Sequence, residues 1–227
     1  NGRVAWGMTT ICSDQQDLFI ERPNPENPDQ VEYRGQWEDV QSVPEAIVVK
    51  GRSEPLIENV RITRHGPIMN AVVGDLEGRA EPTALRWTAL DEDHLLDAAL
   101  AMLRADNGDA FRGALSQWDS GAQVFALADT QGNIAVQSTG RTPIRASGNG
   151  TVPAPGWSGD YDWTDVIPYA EMPFVVNPEA GYLAPANNQA VPDGYPYLIG
   201  GDCAAPFRAQ RIADLIEASD KLSPDDF

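Results

Sequence analysis

Val124-Phe125-Ala126-Leu127-Ala128 and Ile134-Ala135-Val136-Gln137 stand on either side of Asp129-Thr130-Gln131-Gly132-Asn133. Two apolar runs about a polar, Gly-containing turn predict a β-hairpin. Upstream the period changes. From Asp91 to Asp106 apolar residues recur at Leu95, Leu96, Ala99, Met102 and Leu103, one face of a helix that ends at Asn107-Gly108. A shorter helix is expected from Asp109 to Trp118. Before these, strands are expected at Asp17–Glu21, Glu45–Lys50, Glu58–Thr63 and Leu85–Thr88. A tight hairpin over Val31–Trp37 turns near Gly35, and Arg22–Pro28 is a Pro/Asn-rich loop. Downstream, Thr142–Pro185 is rich in Gly and Pro and carries Trp157, Tyr161 and Trp163. Irregular backbone with aromatics to bury points to a functional surface. Pro206–Glu217 is an amphipathic helix with Phe207, Ile212, Leu215 and Ile216 on its apolar side. The order is a strand and hairpin region (1–90), a helical segment (91–120), strands with Gly/Pro-rich loops (121–202) and a helix (203–220). That is an α+β arrangement dominated by strands.

The 227 residues are 42% hydrophobic and 22% charged, a globular composition. Sixteen basic residues face 34 acidic ones, for a net charge of −18. So negative a surface repels phosphate backbones and anionic lipid, so neither nucleic acid nor membrane is an expected partner. No apolar stretch approaches the roughly 20 residues of a membrane span, and none reads as a signal peptide. Cys12 and Cys203 fit no metal spacing and read as two separate buried thiols; a disulfide in an oxidising space is the alternative. The chain opens Asn1-Gly2-Arg3-Val4 without an initiator Met. It closes Ser223-Pro224-Asp225-Asp226-Phe227, a helix-start signal with no helix after it. Both ends predict a piece of something longer.

Few residues suggest chemistry by themselves. Asp14 and Asp17 bracket Gln15-Gln16 before a strand, and two carboxylates with a loop carbonyl suit a hard cation such as calcium. In so acidic a chain such pairs are usually solvated turn residues, and that is the reading the residues alone favour. His65, in Thr63-Arg64-His65-Gly66-Pro67, lies at a strand end and reads as a structural turn histidine, with a catalytic role as the alternative, and His94 reads as exposed. No Gly-x-Ser-x-Gly elbow is present. Asn187-Asn188 follows a Pro-flanked loop. A side-chain amide there can donate to a developing oxyanion or simply close an Asx turn. Arg208, at the start of the last helix, either steadies such a site or faces solvent.

Seven motifs in order carry a resemblance. They are Asn1-Gly2-Arg3-Val4-Ala5-Trp6-Gly7 with Thr9, Asp14-x-x-Asp17-Leu18-Phe19-x-Glu21 and Thr63-x-His65-Gly66-Pro67-Ile68. Then come Ala128-Asp129-x-x-Gly132-Asn133-Ile134, Gly140-x-x-Pro143-x-Arg145, Asn177-Pro178-x-x-Gly181-Tyr182-Leu183-Ala184 with Asn187-Asn188, and Arg208-Ala209-Gln210-Arg211-Ile212. Together they resemble the central part of the larger chain in the penicillin acylase family. That family comprises penicillin amidases and acyl-homoserine lactone acylases of the N-terminal-nucleophile hydrolase superfamily.

The resemblance implies part of a four-layer αββα sandwich and an amide hydrolase working through an acyl-enzyme. In the family a new N-terminal Ser of the larger chain attacks, with its own α-amino group as base. Thr10 then corresponds to the residue whose backbone N–H forms half of the oxyanion hole, Asn187 to the side-chain amide forming the other half, and Arg208 to a supporting arginine. Asp14, the Gln16 carbonyl and Asp17 match a structural calcium loop. Gly150 falls within about one residue of a further carbonyl ligand. Met8 and Gln123 match positions lining the acyl pocket.

Asn1 aligns well after the nucleophile, and Asn is no substitute for it, so the isolated chain is expected to be inactive. The implied partners are an N-acylated small molecule such as a β-lactam or acyl-homoserine lactone, the smaller acylase chain and the rest of the larger one. The implied location is periplasmic or secreted. Exposed sheet edges predict self-association of the isolated chain, against which a clean monomer in size-exclusion chromatography would count. The alternative is a non-catalytic, calcium-binding β-rich module whose aromatic Gly/Pro loop holds a ligand.

Overall fold

The computed structural model describes residues 2–79, 81–219 and 221–226. Asn1, where the first motif begins, lies outside the described residues. Two compact units form, Asn1–Asp14 with Glu92–Pro143 and Val166–Phe227, and Gln15–Asp91 with Ile144–Asp165. Strand β1 (Val4–Thr10) belongs to the first. The second takes β2 (Gln16–Ile20), β3 (Pro23–Asn24), β4 (Asn27–Tyr33), β5 (Gln36–Asp39), β6 (Gln41–Ile47), β7 (Leu56–Thr63), β8 (Gly66–Pro67) and β9 (Thr83–Trp87). The chain returns to the first for α1 (Leu95–Arg104), α2 (Gly108–Leu115), β10 (Gln123–Asp129) and β11 (Ile134–Ser138). Short strands β12 (Pro143–Arg145), β13 (Ala154–Pro155) and β14 (Trp163–Val166) precede β15 (Phe174–Val176) and α3 (Phe207–Glu217). No helix among the described residues is long and apolar enough to cross a membrane.

The first unit is built on an antiparallel sheet in the order β1-β10-β11-β15. Val4 pairs with Asp129 and Thr10 with Gln123. Alternation along β10 and β11 sends Phe125, Leu127 and Ala135 to one face, where Phe111, Leu115 and Met102 of the helices meet them. Trp6 packs on Phe111 with ring centroids 4.9 Å apart, and Trp118 meets Phe125 edge-on at 5.0 Å. Each such side chain, once buried, contributes about 1.5–3 kcal/mol.

The predicted hairpin forms, and its polar residues are anchors. Asp129 accepts from the backbone N–H of Gln131 and Asn133, from the Asn133 amide and from the Gly108 N–H. The Asn133 bonds hold the Asp129 carboxyl below its usual range. Asn107 caps α2 by accepting from the Ala110 N–H at 2.8 Å. A Cβ at Gly108 would sit 3.2 Å from the Asp129 carboxylate, so glycine permits this close seam.

Several expectations change. α1 presents Ala98, Met102 and Ala105 to the core, whereas Leu96 is 79% exposed and Leu100 and Leu103 also face outward. The small stripe lets the helix pack closely, and the leucine stripe is left on the outside. α3 buries none of its residues among those described, Phe207 and Leu215 included. The Pro/Asn-rich loop forms the short strand β3, a turn and the start of β4: Asn24 and Asn27 accept from the Glu26 and Asp29 N–H groups and turn the chain tightly. The strand expected at Glu45–Lys50 begins earlier, at Gln41.

Cys12 and Cys203 are joined in a disulfide 191 residues apart in sequence, which corrects the separate-thiol expectation. Asp14 N–H donates to the Ile199 carbonyl at 2.8 Å. Gly200 passes so close that a Cβ there would collide with the Cys12 carbonyl. That strap brings the sulfurs together, and closing so long a loop removes entropy from the unfolded chain.

In the second unit β2 is central, antiparallel to β9 and parallel to β13. Arg34 and Gly35 turn β4 into β5, both at positive φ (49° and 76°), as a two-residue hairpin turn demands. Gly66 at φ 126° passes where a Cβ would overlap the Leu85 carbonyl, so only glycine fits after His65.

Candidate functional site

Three predicted residues meet in the first unit. Pairing with β10 fixes Thr9 and Thr10 at the end of β1. Asn187 holds a left-handed backbone (φ 60°), which Asn tolerates better than most residues. The Ala204 N–H, donating to the Asn187 carbonyl at 2.8 Å, ties it down. Asn188 closes its own loop by accepting from the Ala186 N–H. Arg208, in the first turn of α3, donates from Nη2 to Asn187 Oδ1 (2.8 Å) and to the Ala186 carbonyl (2.7 Å). Because guanidinium only donates, the Asn187 amide orientation is fixed. Its Nδ2 then donates to Thr9 Oγ1 and to the Thr10 carbonyl, each at 2.8 Å.

A cavity of about 550 Å³ opens beside this corner, lined by Thr9, Val124, Val136, Phe174, Leu183 and Asn187 among others. Among the described residues that line it, Glu171 alone is charged. Met8 and Gln123 are not part of it. Alternation puts them on the strand face opposite Thr9 and Val124, and Met8 is 62% exposed.

The predicted metal residues are divided. Asp14 falls in the first unit and Gln16, Asp17 and Gly150 in the second. Oxygen donors of this kind suit calcium chemically, and Asp17 and Gly150 line one cavity of about 130 Å³. Asp17 is already engaged, however. Its carboxylate accepts from Arg145 Nε (2.7 Å) and Nη2 (3.0 Å) and from the Trp163 indole N–H. The Arg145 and Asp17 side chains are only 4% and 6% exposed. No cluster of three His, Cys, Asp or Glu suited to a metal occurs among the described residues.

His65 is a structural residue of an unforeseen kind. It is buried and stacked on Phe19, with Nδ1 2.9 Å from Glu21 and Nε2 3.1 Å from Asp162. Thr63 and Tyr33 add donors to Glu21 and Asp162 at 2.6 Å each. Burial alone would raise the Asp162 carboxyl, but the bonds from Tyr33 and His65 outweigh it and hold it below its usual range. A depressed folded value contributes stability that is present above the unfolded range near ~4 and lost as pH falls through the folded value. Urea midpoints of the native protein and Asp162→Asn are therefore expected to differ at pH 6 and converge toward pH 3. A constant gap would contradict this.

Thr9, Glu21 and Arg145 stand in the sequence motifs without a role of their own, and neither Asp162 nor the hydrogen bond of Trp163 is marked by any motif. The one available signal was an arginine set among Gly and Pro in an acid-rich chain.

The penicillin amidase family model matches residues 1–227. The chain belongs to the penicillin amidase family. It is 35% identical over 216 residues to the acyl-homoserine lactone acylase QuiP of Pseudomonas fluorescens (strain Pf0-1), covering 95% of this chain and 26% of that protein. Against the penicillin acylase 2 proenzyme of Pseudomonas sp. (strain SE83) it is 34% identical over 230 residues, covering 100% and 29%. The fold matches the thermostable penicillin G acylase from Alcaligenes faecalis with a TM-score of 0.80 at 24% identity, over 99% of this chain and 40% of that one. The strand-rich α+β architecture is thus that of the acylases. The chain spans about a quarter of the length of the first two relatives.

Proposed function

We propose that this chain is the oxyanion-hole portion of an amide hydrolase that cleaves N-acylated small molecules through an acyl-enzyme. The observation that carries it is the Asn187 amide, locked by Arg208 at the end of the strand bearing Thr9 and Thr10. A preoriented amide beside an open cavity suits charge developing on a carbonyl oxygen. The relatives, named as acyl-homoserine lactone and penicillin acylases, supply the substrate class. In this reading the backbone N–H of Thr10 and the Nδ2 of Asn187 hold the oxyanion. Arg208 keeps the amide from rotating, and Met8 and Gln123, on the strand face opposite the cavity that Thr9 and Val124 line, would contribute to the acyl pocket only on that other face.

The attacking Ser lies elsewhere in the polypeptide, so the isolated chain is inactive. The remainder of the larger chain and the smaller chain are its partners, and they cover the apolar residues of the β6–β7 hairpin, Val43, Ile47, Leu56 and Ile57. The disulfide supports a periplasmic or secreted setting. The test of the whole is kcat of the full-length enzyme with Asn187 replaced.

Calcium enters only as a structural ion. Of the expected ligands, the oxygens of Gln16, Asp17 and Gly150 share one unit and would take it, in competition with Arg145 for Asp17, and it would supply charge neutralisation; Asp14 falls in the other unit. Millimolar calcium added to chelator-treated full-length protein is expected to raise the melting temperature. An unchanged value removes the ion.

A further inference from the structure

The Asn187 amide has two N–H groups, and both are already used inside the protein, one by the Thr10 carbonyl and one by Thr9 Oγ1. An oxyanion needs one of them. The Thr10 carbonyl is backbone of β1, held in register against Gln123, and cannot withdraw. Thr9 Oγ1 belongs to a side-chain hydroxyl, which can accept at one moment and turn its own O–H elsewhere the next. The two Thr9 functions are separable: its backbone completes β1, and its hydroxyl completes the amide's hydrogen bonding. With Oδ1 bound by Arg208, three anchors define the amide plane, and Thr9 supplies the one that can be released without moving backbone or breaking a hydrogen bond from a charged donor.

Resting on the oxyanion role proposed above for Asn187, we propose that Thr9 is a positioning residue. Its hydroxyl holds the amide in plane by accepting one N–H, and yields that N–H to the oxyanion when the charge forms. Thr9 touches no reacting atom and acts through Asn187. The step is an exchange of hydrogen-bond acceptor, with no proton or electron transferred.

The experiment uses the full-length enzyme, normalised by active-site titration so that only competent molecules are counted. Thr9→Val keeps the shape and removes the acceptor, and is expected to lower kcat about tenfold, the effect of one oriented hydrogen bond, with KM little changed. Thr9→Ser keeps the hydroxyl and is expected to restore most of kcat. In an Asn187→Ala background Thr9→Val is expected to cost nothing further. Unchanged or raised kcat in Thr9→Val overturns the proposal, and so does an equal loss in Val and Ser, or a full additional loss on top of Asn187→Ala. Should Thr9→Val yield no folded enzyme, Thr9→Ala carries the same comparison with Thr9→Ser. If Asn187→Ala alone leaves kcat intact, the oxyanion role itself falls. Failure of the Thr9 variants beside a crippled Asn187→Ala overturns Thr9 alone.

Discussion

Asn187→Ala in the full-length enzyme is expected to lower kcat by about 10² to 10³ while KM stays within a fewfold, the loss typical of one oxyanion donor. The amide is bonded on all three sides, to Arg208, Thr9 and the Thr10 carbonyl, so it arrives at the reaction already oriented. Orientation fixed before charge develops is what makes such a donor effective. Two controls separate chemistry from backbone strain. Asn187 sits at φ 60°, where Ala is strained and Gly is not. Asn187→Gly should therefore lose as much kcat as Ala with less loss of stability. Asn187→Asp keeps an oxygen for Arg208 but has no donor, and should fare no better than Ala. Near-normal kcat in all three would refute the assignment.

Asp17→Asn is expected to destabilise the protein by about 3–5 kcal/mol, because it strips a buried arginine of its counter-charge. Arg145 has nowhere to go: its side chain is 4% exposed, and its Nε and Nη2 both point at Asp17. Trp163 would lose a charged acceptor at the same time. Replacing both charges, as in Asp17→Leu with Arg145→Met, should recover most of the loss, since removing a buried pair together costs far less than orphaning one member. Denaturant midpoints in the presence of chelator measure both, and chelation separates the ion pair from any bound cation. A loss under about 1 kcal/mol in Asp17→Asn would place the pair with weak surface bridges.

Local patterns told most about the strands. Period-two alternation located β7, two apolar runs located β10 and β11, and Gly132 with its polar neighbours located the hairpin between β10 and β11, because a strand's pattern and its turn are encoded within a few residues. The helices were placed, but the face of α1 was only partly right: Met102 is buried as expected, whereas Leu96 and Leu103 are exposed and Ala98 is buried instead. Its sequence carries two apolar stripes, and the leucines outweigh Ala98, Met102 and Ala105 on any hydrophobicity scale. Close approach to the sheet favours the smaller set. Pairings across the chain left no local trace: Cys12 with Cys203, Asp17 with Arg145, His65 with Asp162. At the candidate site, motif order singled out Asn187, Arg208 and Thr10, and they do gather. Thr9 had no role in the sequence because its role depends on which face of β1 meets a loop nearly 180 residues away.

The account turns on one distance. A structure of the full-length enzyme bearing a covalent tetrahedral transition-state analogue on its nucleophile is expected to place the analogue's oxyanion about 2.7–3.1 Å from both the Thr10 N–H nitrogen and Asn187 Nδ2. Thr9 Oγ1 should then have lost its bond to Asn187. An oxyanion held by other donors, with the Asn187 amide still closed on Thr9 and Thr10, would contradict it.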